Sequence, residues 1–172
     1  MKLAQKSLAL FSASVLLATL PACRKQSRNR LDEAQFPQMV LWAWERPEDL
    51  RALDAKRFAV AFLAQTLTLK GDEVIQSLRH QPLQVTPETK LMAVTRIESS
   101  KTTEERAALS DVQRQKVVLL VMKTLQLDRV AAIQIDFDAA TSERDFYRSL
   151  LQDLRRQLPD KVPLSIDRKS VV

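Results

Sequence analysis

The sequence predicts an α/β protein: about the first half of a (β/α)8 TIM-type barrel, preceded by a signal peptide. Apolar strand-like runs alternate with helix-like stretches between residues 38 and 166, and this order builds a parallel sheet covered by helices. Residues 58–63 (FAVAFL) are apolar throughout, which is typical of a strand covered on both faces. A complete barrel takes about 250 residues, so this chain of 172 residues is expected to contain only part of one.

Five core strands are expected, and a hairpin follows the second of them. The hairpin joins residues 66–69 to 73–76 and turns at Gly71, the only glycine. An open doubly wound sheet would use glycine in its first strand–helix turn, and this chain has none there, so a barrel is preferred. The predicted core strands cover residues 38–44, 58–63, 91–97, 131–138 and 162–166.

Two helices are expected between the first and the fourth of these strands. Pro47 and the acids after it favour a brief helix opened by residues 46–49. Thr102 and Glu105 have the spacing of a capping box, which predicts the start of a longer helix that runs to about Leu127.

The last helix has the clearest periodicity. Ser142 with Asp145 is expected to cap it, and Pro159 to stop it. Apolar residues at helical spacing place one continuous apolar face along it, made of Tyr147, Leu150, Leu151, Leu154 and Leu158.

Composition excludes several kinds of site. One glycine cannot build a glycine-rich phosphate loop or a dinucleotide fingerprint. Cys23 and His80 are the only cysteine and the only histidine, which rules out an internal disulfide, a cysteine-based zinc site and a multi-histidine metal centre. His80 is expected to lie in a solvated loop. We therefore expect no metal and no cofactor, and any chemistry would rest on carboxylates, arginines and aromatic residues.

Residues 1–22 have the organisation of a secretory signal peptide. Lys2 and Lys6 precede residues 8–20, an uncharged run that is too short to span a membrane. The run ends in Leu-Pro-Ala-Cys at Cys23, which resembles the lipobox of bacterial lipoproteins. The resemblance implies lipidation of Cys23 and anchoring in the outer membrane, facing the periplasm. The alternative is an ordinary signal peptide followed by a buried cysteine.

Residues 23–37 are interpreted as the lipidated cysteine and a basic tether to the domain of residues 38–166. Residues 24–30 contain four cations and no acid. The tether accounts for much of the net charge of +6, so the folded part is close to neutral and nucleic acid is not an expected partner. The membrane is the expected partner, through Cys23, and contact of the cations with anionic head groups is the alternative to a solvated tether.

Residues 167–172 (DRKSVV) are expected to be a non-native tail. One reverse translation of these residues coincides with a common sequencing-adapter sequence, so the natural reading frame is expected to be lost near Ile166. We assign no functional role to this tail.

Residues 131–138 (AAIQIDFD) contain the candidate catalytic residues. Strand side chains alternate between faces, so Gln134, Asp136 and Asp138 share one face, and the apolar residues between them share the other. The apolar face can pack on helices, and the polar face then points into the barrel. Aspartates there belong at the open carboxyl-terminal mouth, where barrel enzymes keep their active sites. We expect Asp138 as a general acid and Asp136 as its electrostatic partner. The structural alternative is that Asp138 caps a turn and Asp136 pairs with Arg96.

Aromatic residues mark the end of the first strand. Trp42 and Trp44 fall on one face of it, with Glu45 beside them. Tryptophan rings stack on sugar rings, so Trp44, Glu45, Arg96 and Gln134 are expected to line a substrate cleft. Packing in the core is the preferred interpretation of Trp42, and both interpretations remain open for Trp44.

Two resemblances extend these interpretations. Residues 40–50 (VLWAWERPEDL), 81–83 (QPL) and 133–139 (IQIDFDA) resemble a bacterial family catalogued as domain of unknown function 3142. That resemblance covers residues 38–166 and implies no established activity, and family members are longer. Residues 131–138 are also similar to the fourth strand of family-18 glycoside hydrolases, whose Asp-x-Asp-x-Glu pattern falls here on Gln134, Asp136 and Asp138, with an amide for the first acid and an aspartate for the glutamate.

The expected function is that of a lipid-anchored envelope protein fragment with a glycoside-hydrolase-like barrel, which acts on or binds polysaccharide. If the protein is an enzyme, we expect a hydrolase that depends on carboxylates. Two alternatives stand beside this expectation. One is a non-catalytic lipoprotein that binds glycan or protein, and the other is an inactive truncated product with unpaired sheet edges.

Overall fold

The computed structural model describes residues 36–167. The expected signal peptide, Cys23, the tether before residue 36 and residues 168–172 of the tail lie outside the described residues. The helices are α1 (Asp111–Lys123) and α2 (Arg144–Gln157), with 3-10 turns at Thr124–Gln126 and Thr141–Glu143. The strands are β1 (Met39–Ala43), β2 (Glu48–Asp49), β3 (Phe58–Lys70), β4 (Glu73–Leu78), β5 (Leu83–Gln84), β6 (Leu91–Ser99), β7 (Val130–Phe137) and β8 (Leu164–Ile166).

Five parallel strands form one curled sheet in the order β1-β3-β6-β7-β8. The sheet curls through 188°, about half of a closed barrel. β4 adds to it antiparallel to β3, and β2 pairs with β5 in a separate two-stranded sheet. The described part of the chain is therefore a mixed α/β half-barrel with a mostly parallel sheet, in agreement with the alternating apolar runs.

β3 is a single strand of 13 residues where the sequence suggested two separate runs. Its register against β6 shifts between Leu63 and Gln65, so Ala64 is the extra residue of a β-bulge. On the opposite edge of β3, β1 pairs as far as Phe62 and β4 pairs from Gln65 onward. The bulge therefore lies at the gap between the end of β1 and the end of β4.

The predicted hairpin turn at Gly71 is confirmed. Gly71 has a φ of +50°, a left-handed conformation that glycine adopts without a steric penalty. The buried Gln113 side chain of α1 donates to the carbonyls of Gly71 (3.0 Å) and Glu73 (2.7 Å). The same amide accepts the backbone N–H of Leu109 at 2.9 Å, so it ties the hairpin to the start of the helix.

The helix predicted from Thr102 is wrong at its start, because α1 begins at Asp111. The Glu105 carboxylate pairs with Lys70 of β3 at 2.7 Å instead of capping a helix. Contacts of this segment with the hairpin therefore override the local capping signal. Ser110 is the N-cap, and its hydroxyl accepts the N–H of the third helical residue at 3.2 Å.

The predicted cap of the last helix is also wrong, since α2 begins at Arg144 and Ser142 lies in the preceding 3-10 turn. The buried carboxylate of Glu143 accepts hydrogen bonds that hold this turn. It accepts the N–H of Ala140 at 2.7 Å and the hydroxyl of Ser99. The predicted apolar face of the helix is present, because Tyr147, Leu150 and Leu154 are buried.

Residues 46–49 do not open a helix. Glu48 and Asp49 form β2, because their backbone pairs with β5. The Arg51 guanidinium donates to the Asp49 carboxylate at 2.9 and 2.7 Å, and these hydrogen bonds lower the pKa of Asp49 to about 2.

The two faces of β7 differ as the alternation predicted. Ile133, Ile135 and Phe137 are buried in the core beneath the helices, where Phe137 meets the Tyr147 ring edge-on at 5.4 Å. A smaller apolar cluster, made of Ala61, Met92, Val94 and Ala132, occupies the opposite face. We call this opposite face, which carries the even-numbered residues of β7, the inner face.

Within residues 36–167, no helix is both long enough and apolar enough to cross a membrane.

Candidate functional site

The inner face of the sheet ends in two adjoining cavities at the carboxyl ends of β3, β6 and β7. The first, which we call the cleft, has a volume of ≈ 530 Å³. The second, which we call the notch, has a volume of ≈ 150 Å³. Arg96 and Glu98 line both cavities. The cleft is further lined by Glu45, Leu63, Gln65, Thr66, Thr68, Ser77, Leu78, Arg79, His80 and Gln81.

The notch contains both aspartates that the sequence proposed as catalytic. Asp136 lies opposite Arg96 in the register of β7 and β6, and Asp138 is exposed just after the end of β7. Lys101 lines the same cavity. The two carboxylates therefore lie at the carboxyl-terminal edge of the sheet beside cationic side chains, an arrangement able to hold a polar ligand.

Arg96 connects the two cavities. Its Nε pairs with the Glu98 carboxylate at 3.1 Å, and its guanidinium lies 5.7 Å from the centre of the Trp44 ring. A guanidinium at this distance from an indole face makes a favourable cation–π contact. Arg96, Glu98 and Trp44 therefore form one connected cluster at the mouth of the half-barrel.

The preferred interpretation of Trp42 as a core residue is wrong, because 47 % of it is exposed. Trp44 is 36 % exposed, and the two ring centres are 5.7 Å apart with planes inclined at 44°. The residues of β1 are mostly exposed because this strand lies at one edge of the sheet. The tryptophans therefore form an open aromatic surface, which we call the tryptophan pair.

Gln134 lies deeper than the other candidate residues. It is 8 % exposed and stands in register with Val94 and Ser165 of the neighbouring strands. It lines neither the cleft nor the notch, whereas Glu45 and Arg96 line the cleft. The structure therefore brings Trp44, Glu45 and Arg96 together and leaves Gln134 one layer below them.

Two residues of the cleft were missed by the sequence interpretation. Arg79 and His80 follow β4 and line the cleft wall, although His80 is exposed as expected. Burial lowers the pKa of the Arg79 guanidinium below its ordinary value, and the carboxylates of Glu48 and Glu45 counteract this effect. No local motif distinguishes Arg79, since its importance depends on the distance between β4 and the end of β1, which only the fold determines.

A larger cavity of ≈ 640 Å³ lies at the other end of the sheet, between Phe36, Leu53 and Lys90. These residues lie at the amino ends of the parallel strands. In parallel barrels the chemistry occurs at the carboxyl ends, so we place the candidate site in the cleft and the notch. Among residues 36–167, no group of three or more histidine, cysteine, aspartate or glutamate side chains could hold a metal ion.

No protein-family model, curated protein or solved structure matches this chain. The fold and the site together define an α/β half-barrel with an open, aromatic-edged polar cleft at the carboxyl ends of its strands.

Proposed function

We propose that this protein binds glycan chains through the cleft and the tryptophan pair, as part of a barrel anchored in the bacterial envelope. The observation that carries the proposal is the exposure of both tryptophans, at 47 % and 36 %, beside a polar cavity. The two neighbouring rings form a contiguous exposed apolar surface, and such surfaces often mark binding sites. Sugar rings present flat apolar faces that stack on indoles and hydroxyls that need hydrogen-bond partners.

The polar walls of the cleft suit the hydroxyls of such a ligand. Glu45 and Glu98 supply acceptors, while Arg96 and His80 supply donors. The described residues leave the cleft partly open to solvent, which favours a chain-like ligand over a small molecule that must be surrounded. A polysaccharide can enter such a groove without its ends being buried.

We also propose that the half-barrel is part of an eight-stranded TIM-type barrel. Five parallel strands that turn through about half a circle leave room for about three more, which gives the eight strands of a TIM-type barrel. The similarity of residues 131–138 to the fourth barrel strand of family-18 glycoside hydrolases supports the same architecture.

The chain offers a direct test, because Trp42 and Trp44 are its only tryptophans. Titration with soluble chito-, cello- and xylo-oligosaccharides and peptidoglycan fragments should shift tryptophan emission saturably with at least one probe. Trp44→Ala should abolish the binding measured by calorimetry, whereas the control Leu119→Ala, on the exposed side of α1, should leave it unchanged. Absence of a saturable response with every probe would contradict the proposal.

A second candidate function, glycan hydrolysis, is favoured by the position of Asp136 and Asp138 in the notch. Asp138 would act as general acid and Asp136 as its electrostatic partner. Asp138→Asn should then abolish release of reducing ends from the bound oligosaccharide and leave the affinity and the melting temperature close to those of the parent. If the parent chain binds the oligosaccharide but releases no product, hydrolysis is contradicted and only the binding function remains.

Anchoring through Cys23 is the third part of the proposal and rests on residues 8–23 of the sequence. Metabolic labelling with an alkyne fatty acid should modify the parent chain and not Cys23→Ser. Fractionation should place the parent in the outer membrane, exposed to the periplasm. Absence of label on the parent chain would contradict lipidation of Cys23.

A further inference from the structure

Arg79 makes an unusual number of hydrogen bonds to main-chain carbonyls. Its Nε donates to the carbonyl of Gln81 at 2.9 Å, and its Nη2 donates to that of Arg46 at 2.8 Å. Its Nη1 donates to the carbonyl of Trp44 and, at 3.4 Å, to that of Ala43. One side chain thus holds the segment of residues 43–46, which contains the candidate glycan contacts Trp44 and Glu45.

The sheet explains why these carbonyls need a side-chain partner. β1 ends at Ala43, and its pairing with β3 stops at Phe62. Beyond the bulge at Ala64, the same edge of β3 is taken by β4. Among the described residues, the backbone of residues 44–46, between β1 and β2, therefore has no strand to pair with, and the Arg79 guanidinium takes the place of that strand.

Arg79 itself is fixed at both ends. Its backbone N–H donates to the carbonyl of Ala64, the bulged residue, at 3.1 Å. Its planar guanidinium has five N–H groups in a rigid fork, which can reach several carbonyls at once. A lysine ammonium carries its three N–H donors on one nitrogen, so it cannot span the separated carbonyls that the Arg79 fork reaches.

We propose that Arg79 is a positioning residue that holds Glu45 in the wall of the glycan-binding cleft and Trp44 at the edge of that cleft, against Arg96. This inference rests on the proposed function for its binding consequence, but its structural part can be tested without a ligand. Without Arg79, the segment after β1 would lose its hydrogen bonds, and the Trp44 ring would no longer be held below Arg96. Binding would then have to order this segment, and the ordering would reduce affinity.

The test uses the full chain with Trp42→Phe, so that Trp44 is the only tryptophan. Arg79→Lys retains the charge and removes the fork, and Arg106→Lys makes the same change at an exposed position. We expect Arg79→Lys to raise the acrylamide quenching constant of Trp44 about twofold and to lower its fluorescence anisotropy, while far-UV circular dichroism stays unchanged. Equal quenching and anisotropy in the two variants would overturn the proposal.

Affinity for an oligosaccharide probe separates this inference from the proposed function. If the probe binds the unaltered chain, in which Trp42 is retained, Arg79→Lys in that chain should weaken binding about three- to tenfold, and Arg106→Lys should not. Unchanged affinity despite a mobile Trp44 would show that the ring is positioned for some purpose other than glycan binding. If no probe binds the parent, the proposed glycan binding fails. The quenching result then decides by itself whether Arg79 positions Trp44.

A measurement on the unaltered chain guards against a variant that fails to fold. Nitrogen-detected NMR should show slow rotation about the Nε–Cζ bond of Arg79, because carbonyls on both sides hold the guanidinium. A freely rotating Arg79 guanidinium would overturn the proposal without any substitution.

Discussion

The guanidinium of Arg96 lies 5.7 Å from the centre of the Trp44 ring, although β3 separates the strands from which the two residues come. Trp44 follows β1, and Arg96 belongs to β6. The contact crosses β3 on the inner face of the sheet. Curling of the sheet brings side chains of alternate strands towards one another above the strand between them, so this contact is a property of the half-barrel rather than of either strand.

The Arg96–Trp44 contact should be measurable as a coupling energy. Arg96→Leu removes the cation and Trp44→Leu removes the ring. In a double-mutant cycle monitored by urea unfolding, the two changes should be non-additive by about 0.5–1 kcal/mol, the usual size of an exposed cation–π contact. Strictly additive effects would show that the two groups do not interact in solution.

Gln113 should be essential for the junction between the hairpin and α1. Gln113→Ala leaves the carbonyls of Gly71 and Glu73 and the N–H of Leu109 without this partner in a buried place. The free energy of unfolding should fall by about 2–3 kcal/mol, measured by urea denaturation. The control Gln152→Ala, on the exposed side of α2, should change it by less than about 0.5 kcal/mol. Equal stability of the two variants would contradict this role.

Gly71 should tolerate asparagine better than alanine. Its φ of +50° is strained for residues with a β-carbon, although no atom lies within 4 Å of the position that the carbon would take. Gly71→Ala should therefore cost about 1 kcal/mol from the backbone alone. Gly71→Asn should cost less, because asparagine adopts the left-handed region more readily. Thermal melts compare the two, and a larger loss for asparagine would argue against this turn.

Asp153 should make the stability of the helix pair depend on acidic pH. The buried carboxylate accepts from Arg114 Nε at 2.8 Å, and from Gln115 Nε2 at 3.1 Å, and it also pairs with Arg156. The hydrogen bond from Arg114, followed by that from Arg156, lowers the pKa of Asp153 despite its burial. The folded state therefore favours the charged carboxylate. The resulting stabilisation is fully present above the pKa of an aspartate in the unfolded chain, about 3.9. It is lost as the pH falls through the lower pKa that Asp153 has in the folded protein.

Asp153→Asn tests this dependence. At pH 7 the variant should be less stable than the parent by about 2 kcal/mol in urea unfolding, and the difference should shrink below about pH 4. Asp145→Asn is the control, since its carboxylate is 95 % exposed, and it should show little effect at either pH. A difference that stays constant between pH 3 and pH 7 would show that ionisation of Asp153 is not responsible.

Apolar patterning predicted the central strands and the face of each side chain on β7. It succeeded because a strand covered on both faces needs a continuous apolar run, as in residues 58–63, and because residues 133–137 alternate between apolar and polar side chains. The hairpin at Gly71 and the apolar face of α2 were equally clear, since both rest on local rules of turn and helix geometry.

The failures share one physical cause, which is competition from distant parts of the fold. Thr102 and Glu105 match a capping box, but Glu105 is paired with Lys70. Trp42 looked like a core residue because the sequence does not reveal that β1 is an edge strand. Arg79 carries no motif at all, because its partners are carbonyls of a segment more than thirty residues away.

The even-numbered positions at the end of β7 face a water-accessible inner surface, while their odd-numbered neighbours face the helices. Cysteine reactivity tests it in a Cys23→Ser background, which has no other thiol. Maleimide should label Asp138→Cys and Asp136→Cys rapidly in the native state and label Ile135→Cys and Phe137→Cys only in urea. Rapid native labelling of Ile135→Cys, or protection of Asp138→Cys, would contradict the account.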